Sequence, residues 1–170
     1  SSGSEWRVLF LGDSLAPVAG YKAGAHSDTS EYKAAVMRHY ERAGISDRVK
    51  FAGARNDLPA IVRQSDVLFV TSCREGFPNS VLEAMVLGVP VVSTDYSDIG
   101  HILPRAGQVV AARAAEEIAA AIVAAHRDRS EIAAEQARWV RANATIEKAT
   151  ENLERVYRQY IRSDAVANPA

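Results

Sequence analysis

Five short apolar runs, at residues 7–11, 49–52, 67–71, 89–93 and 107–110, constrain this chain more than any other feature. Each is rich in β-branched or aromatic residues, and each is nearly continuous rather than alternating in hydrophobicity. A strand with one wet face alternates, whereas a continuous run suits a strand covered on both faces, the situation of parallel sheets. Helical patterns at 31–43, 57–64 and 80–87 lie between the runs, as parallel neighbours require, because a parallel pair cannot be closed by a hairpin. The pattern predicts an α/β fold: a doubly wound, mostly parallel sheet of Rossmann-like topology with C-terminal helices packing on it. Beyond residue 110 the chain reads as helix, helped by an alanine-rich stretch at 111–125. Ile118, Ile122 and Ala125 share one helical face, and Ile146, Ala149, Leu153, Val156 and Tyr160 form a stripe on the last helix; both are expected to face the core.

The 170 residues suffice to bury a core without disulfides or a structural metal. With 48% hydrophobic and 24% charged residues and a net charge of -1, the chain is no disordered tail, and it carries no field for a polyanion, so a nucleic-acid partner is not expected. The only cysteine, Cys73, excludes an intramolecular disulfide and reads as a small buried hydrophobe; a cytoplasmic location is the simplest expectation. The four histidines are scattered and no metal-ligand spacing occurs, so no metal is expected. No apolar run approaches the roughly 20 residues of a membrane span. Residues 1–5 read as a linker or tag remnant, 6–162 as the folding unit and 163–170 as a flexible tail. The segment 12–30 exceeds the usual β-α connection of about two to six residues. It reads as a functional loop or as disorder, with Lys22 and His26 able to meet a phosphate but more ordinarily solvated.

The chemically informative stretch runs from Glu75 through Gly76, Phe77, Pro78, Asn79, Ser80, Val81 and Leu82 to Glu83, just past the carboxyl end of a predicted buried strand and into a helix. Ligands of open α/β sheets bind at that end. Gly76 lets a backbone approach a ligand, Pro78 stiffens the turn, and Asn79 or Ser80 caps the helix. The amides of Ser80, Val81 and Leu82 are then expected to be unpaired at the positive end of the helix, a seat for phosphate. Glycine-rich dinucleotide and P-loop patterns are absent from the sequence. Ser80 and Glu83 also have the spacing of a capping box, which explains them structurally. Glu75 has no evident structural task. Asp95, Ser97 and Asp98 are expected to cap a short helix over 99–103.

Glu75 and Glu83 stand at Glu-x7-Glu spacing within EGFPNSVLEAMVLGVPVVSTD, and in this the sequence resembles the family 4 glycosyltransferases of the GT-B fold. The likeness extends through WRVLFLGD, ISDRVKFAGARNDLPAIVRQSDVLFV and NLERVYRQY. It implies that the chain is half of a GT-B enzyme, the domain that binds a UDP-sugar or GDP-sugar donor, with retention at the anomeric carbon and no cofactor or metal. By position, Glu75 matches the catalytic-site glutamate that contacts sugar hydroxyls, Glu83 the one that binds ribose, and Gly76 to Pro78 the turn against the sugar. Val81 and Leu82 match the amides on the distal phosphate. Ala54, Asn56 and Asp57, in the loop that begins at Gly53, match the region lying against the base.

The family's donor domain opens with one further strand and helix bearing an arginine and a lysine, and Trp6 matches its second strand. The resemblance therefore implies an N-terminal acceptor domain as partner outside this chain and negligible turnover by this chain alone; any peripheral membrane contact is expected through that other part. A central strand would be lacking, so self-association through an open sheet edge is a further expectation. The alternative from another class is a non-catalytic nucleotide-sugar-binding or assembly module.

Overall fold

A computed structural model of the chain describes residues 6–11, 29–53, 55–72, 74–76, 78–111 and 114–167. The chain divides into two compact units, Ser1–Leu58 and Pro59–Ala170.

In the first unit, strands β1 (Val8–Phe10) and β2 (Val49–Phe51) pair in parallel, with Val8 opposite Val49 and Phe10 opposite Phe51. Helix α1 (Thr29–Arg42) supplies the crossover. Phe10 stacks on Phe51 at 4.6 Å between ring centroids, and Tyr40 of α1 meets Phe10 at 6.4 Å, so aromatic side chains join the helix to the strands. The helix stops at Gly44, whose φ of 66° a side chain would resist. The amides of Gly44 and Ile45 return to the carbonyls of Glu41 and Tyr40, a Schellman closure that satisfies the last turn. A 3-10 turn, Ser46–Arg48, then leads into β2.

The second unit holds β3 (Leu68–Val70), β4 (Val91–Thr94) and β5 (Val109–Val110) in the order β3-β4-β5, all parallel. Helix α2 (Leu58–Arg63) leads into β3, α3 (Asn79–Val86) joins β3 to β4, and α4 (Ile99–Ile102) lies between β4 and β5. Every residue of the central strand β4 is buried. Because side chains alternate along a strand, its neighbours face opposite ways. Val91 packs with Val81, Ala84 and Met85 of α3, while Val92 packs with Ala125 of α5 (Ala115–Arg127) and Ile132 of α6 (Arg129–Asn143). Helical cover on both faces is the doubly wound arrangement read from the continuous apolar runs. The strands are shorter than those runs: Val89 and Pro90 precede β4 and are already buried, and the Pro90 carbonyl accepts from the Leu68 amide at 2.8 Å. Helix α3 ends as α1 does, at Gly88 with φ 76° and with the amides of Gly88 and Val89 returning to Met85 and Ala84.

Two buried amides bind β4 to α6. Gln108 Nε2 donates to the Val91 carbonyl at 2.7 Å. Gln136, wholly buried, donates to the Val89 carbonyl at 3.2 Å and accepts from Gln108 Nε2 at 2.7 Å and from the Val91 amide at 3.2 Å, in the orientation that satisfies all of these groups.

Ile122 is half-buried and Ala125 buried on the Val92 face, as their spacing predicts. The stripe of the last helix, α7 (Ile146–Ala167), does not face a core: Ile146, Leu153, Val156 and Tyr160 are all exposed, from 44% at Val156 to 83% at Ile146. Helical periodicity shows that a face is apolar, not that the described residues contain the surface to cover it. No helix among the described residues is long and apolar enough to cross a membrane.

Candidate functional site

The carboxyl ends of β3 and β4 lie side by side, and hydroxyl residues stitch them together. Thr94 Oγ1, on the last residue of β4, donates to the Ser72 carbonyl at 2.6 Å, just past the end of β3. Ser72 Oγ in turn donates to Glu75 Oε1. Glu75 is exposed on this loop and so is carried by a backbone anchored to the neighbouring strand. Gly76 follows, exposed; a Cβ built there meets nothing within 4 Å, and its φ lies outside the left-handed region. Neither packing nor backbone geometry among the described residues requires glycine at 76. Phe77, Cys73, Ala54, Lys22 and His26 lie outside the described residues.

Helix α3 starts differently from its sequence-based expectation. Its cap position is the buried Pro78, at φ -82° and ψ 73°, with no side-chain cap hydrogen bond. Asn79 and Ser80 are the first two helical residues, exposed, and neither side chain reaches back to cap. The proposed capping box is therefore not formed. It needs serine before the first turn, whereas the Pro78 carbonyl has already begun the ladder by accepting from the amides of Val81 at 3.0 Å and Leu82 at 3.2 Å. Those two amides, expected to be unpaired, are engaged. The free end moves to Asn79 and Ser80, whose amides find no backbone acceptor among the described residues. Val81 is fully buried and Leu82 half-buried, so their side chains serve the core.

Glu83 lies one turn into α3, exposed, and its carboxylate makes no hydrogen bond or ion pair among the described residues. With the capping box gone it has no structural partner there. The structure thus places Glu75 and Gly76 beyond the end of β3, and Pro78, Asn79, Ser80 and Glu83 at the start of α3, at the carboxyl end of the β3-β4-β5 sheet.

Asp57 and Asn56, both exposed, belong to the first unit. Asp57 is held by Arg55, whose Nε and Nη2 each donate at 2.7 Å. The fork raises the Arg55 pKa and lowers that of Asp57 below the usual carboxylate range, chiefly through the hydrogen bonds.

Asp98 occupies the cap position of α4, but the helix has no side-chain cap hydrogen bond, from it or from Asp95 or Ser97. Backbone contacts close that turn instead, Ile99 to the Tyr96 carbonyl at 3.1 Å and His101 to the Asp98 carbonyl at 2.9 Å, with Ser97 at φ 43°. Ser72, Thr94 and Tyr96 were not singled out from sequence. The signal that could have found them is the recurrence of Thr71-Ser72 and Ser93-Thr94 at the ends of adjacent strands.

The family described as glycosyl transferases group 1 matches residues 7–128. The lipopolysaccharide core biosynthesis mannosyltransferase LpsB of Rhizobium meliloti (strain 1021) is 29% identical over 152 residues, 85% of this chain and 42% of its own length. The Vi polysaccharide biosynthesis protein VipC/TviE of Salmonella typhi is 36% identical over 64 residues, 38% of this chain and 11% of its own length. Among solved structures, Anabaena Alr3699/HepE in complex with UDP superposes with a TM-score of 0.72 at 22% identity, over 89% of this chain and 41% of that one. The sucrose-phosphate synthase of Thermosynechococcus elongatus gives a TM-score of 0.68 at 21% identity, over 91% and 38%. At these identities the structural likeness establishes the fold. The chain spans less than half the length of the long relatives it matches.

Proposed function

Because the chain belongs to the glycosyl transferases of group 1, we propose that its second unit binds the nucleoside-diphosphate sugar for a transferase that moves a hexosyl group to an acceptor hydroxyl in glycan or lipopolysaccharide synthesis. One observation carries this reading: Glu75 and Glu83, the pair at Glu-x7-Glu spacing, are both exposed around an uncapped helix start at the carboxyl end of a parallel sheet. In this reading Glu75 accepts hydrogen bonds from the sugar hydroxyls, Gly76 gives the sugar room to approach the backbone, and Glu83 accepts from the ribose. The amides of Asn79 and Ser80, at the positive end of α3, hold the distal phosphate and stabilise the charge that grows on the departing diphosphate. No metal is needed for that step, since the helix end supplies the positive potential, and the sugar keeps its anomeric configuration.

The test is calorimetric titration of the chain with UDP, UDP-glucose, GDP and GDP-mannose. UDP-glucose is the molecule bound to Anabaena Alr3699/HepE in a second solved complex, and mannose is named for LpsB. One nucleotide is expected to bind, its sugar adduct more tightly. Glu75→Gln should erase about 10-fold of the sugar's contribution, the scale of a hydrogen bond to a charged group. Absence of binding by all four ligands at millimolar concentration would overturn the reading.

A further inference from the structure

Tyr96 is only 5% exposed, and its ring packs in the cluster of Val81, Ala84, Met85 and Ile99. Its hydroxyl is buried there without a hydrogen-bond partner among the described residues. Buried phenols ordinarily find one, and a phenylalanine would fill the same space without the unsatisfied oxygen. The backbone that carries it is held on both sides: the Asp95 amide donates to the Val110 carbonyl at 2.9 Å, and the Tyr96 carbonyl accepts from the Ile99 amide at 3.1 Å.

Tyr96 stands two residues beyond the end of β4, at the edge where Thr94 ties that strand to Ser72 and Ser72 holds Glu75. Glu75 has acceptor capacity left, since a carboxylate offers about four lone-pair sites and Ser72 occupies one. We propose that Tyr96 is a positioning residue of the sugar side of this site, its buried hydroxyl donating to the Glu75 carboxylate once a sugar is bound; this rests on the donor-binding reading above. With Ser72 on one oxygen and Tyr96 on the other, an otherwise exposed carboxylate is held in one orientation toward the sugar hydroxyls. Burial raises the Tyr96 pKa, the Ser93 side chain pulls it down, and the negative charge of Glu75 raises it further, which keeps the phenol protonated as a donor. The competing acceptor is Ser93 Oγ, whose own proton is committed to the Thr94 carbonyl at 2.9 Å.

The experiment is a double-mutant cycle on the full chain with Tyr96→Phe, Glu75→Gln and both together. It is read by titration with the nucleotide and nucleotide sugar selected above, UDP with UDP-glucose or GDP with GDP-mannose, and by thermal melting. Tyr96→Phe is expected to weaken the nucleotide sugar about 10-fold, leave the bare nucleotide unchanged, and melt no lower than the parent. In the Glu75→Gln background it should add no further loss. Equal weakening of both ligands, an unchanged nucleotide sugar, or effects that multiply in the double variant would each overturn the proposal in favour of a packing role or a bond to Ser93. If Glu75→Gln itself leaves the nucleotide sugar at the parent affinity, or neither pair binds, the donor-binding reading fails and Tyr96 falls with it. A Glu75 effect beside a silent Tyr96→Phe refutes Tyr96 alone.

Discussion

Replacing Gln136 by leucine removes the amide that joins α6 to β4 while keeping nearly the same volume, so the change isolates hydrogen bonding from cavity formation. Gln136 is 0% exposed and makes three bonds, to the Val89 carbonyl, the Val91 amide and Gln108 Nε2. Gln108 Nε2 keeps its bond to the Val91 carbonyl, so the change leaves the Val89 carbonyl and the Val91 amide as the orphans. At about 1–3 kcal/mol for each buried group left unsatisfied, the loss is about 2–6 kcal/mol, reduced by about 1 kcal/mol for the added apolar surface. That is a large share of the ~5–15 kcal/mol by which a domain is stable. The assay is urea unfolding in a Trp6→Phe background, so that fluorescence reports Trp139, which packs against the Val91 cluster. With a urea slope of about 1–3 kcal/mol per molar, the net loss of about 1–5 kcal/mol should lower the midpoint by about 0.3–5 M. A Gln136→Leu midpoint within about 0.3 M of the parent would refute the network as a source of stability.

Glu83→Gln should weaken nucleotide binding by about 10-fold or more and leave the melting temperature unchanged, because no capping box exists to be lost; lower melting with intact binding would restore the capping role. The raised pKa of Tyr96 means the unfolded chain gives up that proton first, near pH 10. The Tyr96 contribution to stability should therefore be constant below that value and fall as pH rises from it toward the folded-state pKa, and Tyr96→Phe should lessen the fall between urea titrations at pH 8 and 10.5. Gly88→Ala meets no atom within 4 Å but forces a side chain onto φ 76°, so it should cost about 1–2 kcal/mol in the same unfolding assay; a neutral result would show that the turn relaxes. Leu153→Asp, on the exposed stripe of α7, should shift the midpoint by no more than about 0.3 M, and a larger loss would reveal packing on that face.

Length and hydrophobic continuity determine much of this molecule before any fold is seen. The runs at 67–71 and 89–93 can be stable only as strands covered on both faces, and that requirement alone leads to parallel pairing, helical crossovers and a ligand edge at the carboxyl ends. Glu75 and Glu83 are legible for the same reason: their spacing across a glycine-proline turn is a local property of the chain. What the sequence could not decide depends on groups far apart along it. Whether Ser80 or Pro78 starts α3 turns on which carbonyl first takes the amides of Val81 and Leu82, and it settles whether Glu83 has a structural partner. The Thr94–Ser72 bond spans 22 positions, and the Gln136 network joins α6 to a strand that precedes it by two helices and a strand. Periodicity marked the α7 stripe as apolar, yet exposure is a relation between that face and everything else in the molecule, and no window of neighbouring residues contains it. The same holds for the Tyr96 hydroxyl: an aromatic after a strand reads as core, and only the packed structure shows a buried hydroxyl without a hydrogen-bond partner among the described residues.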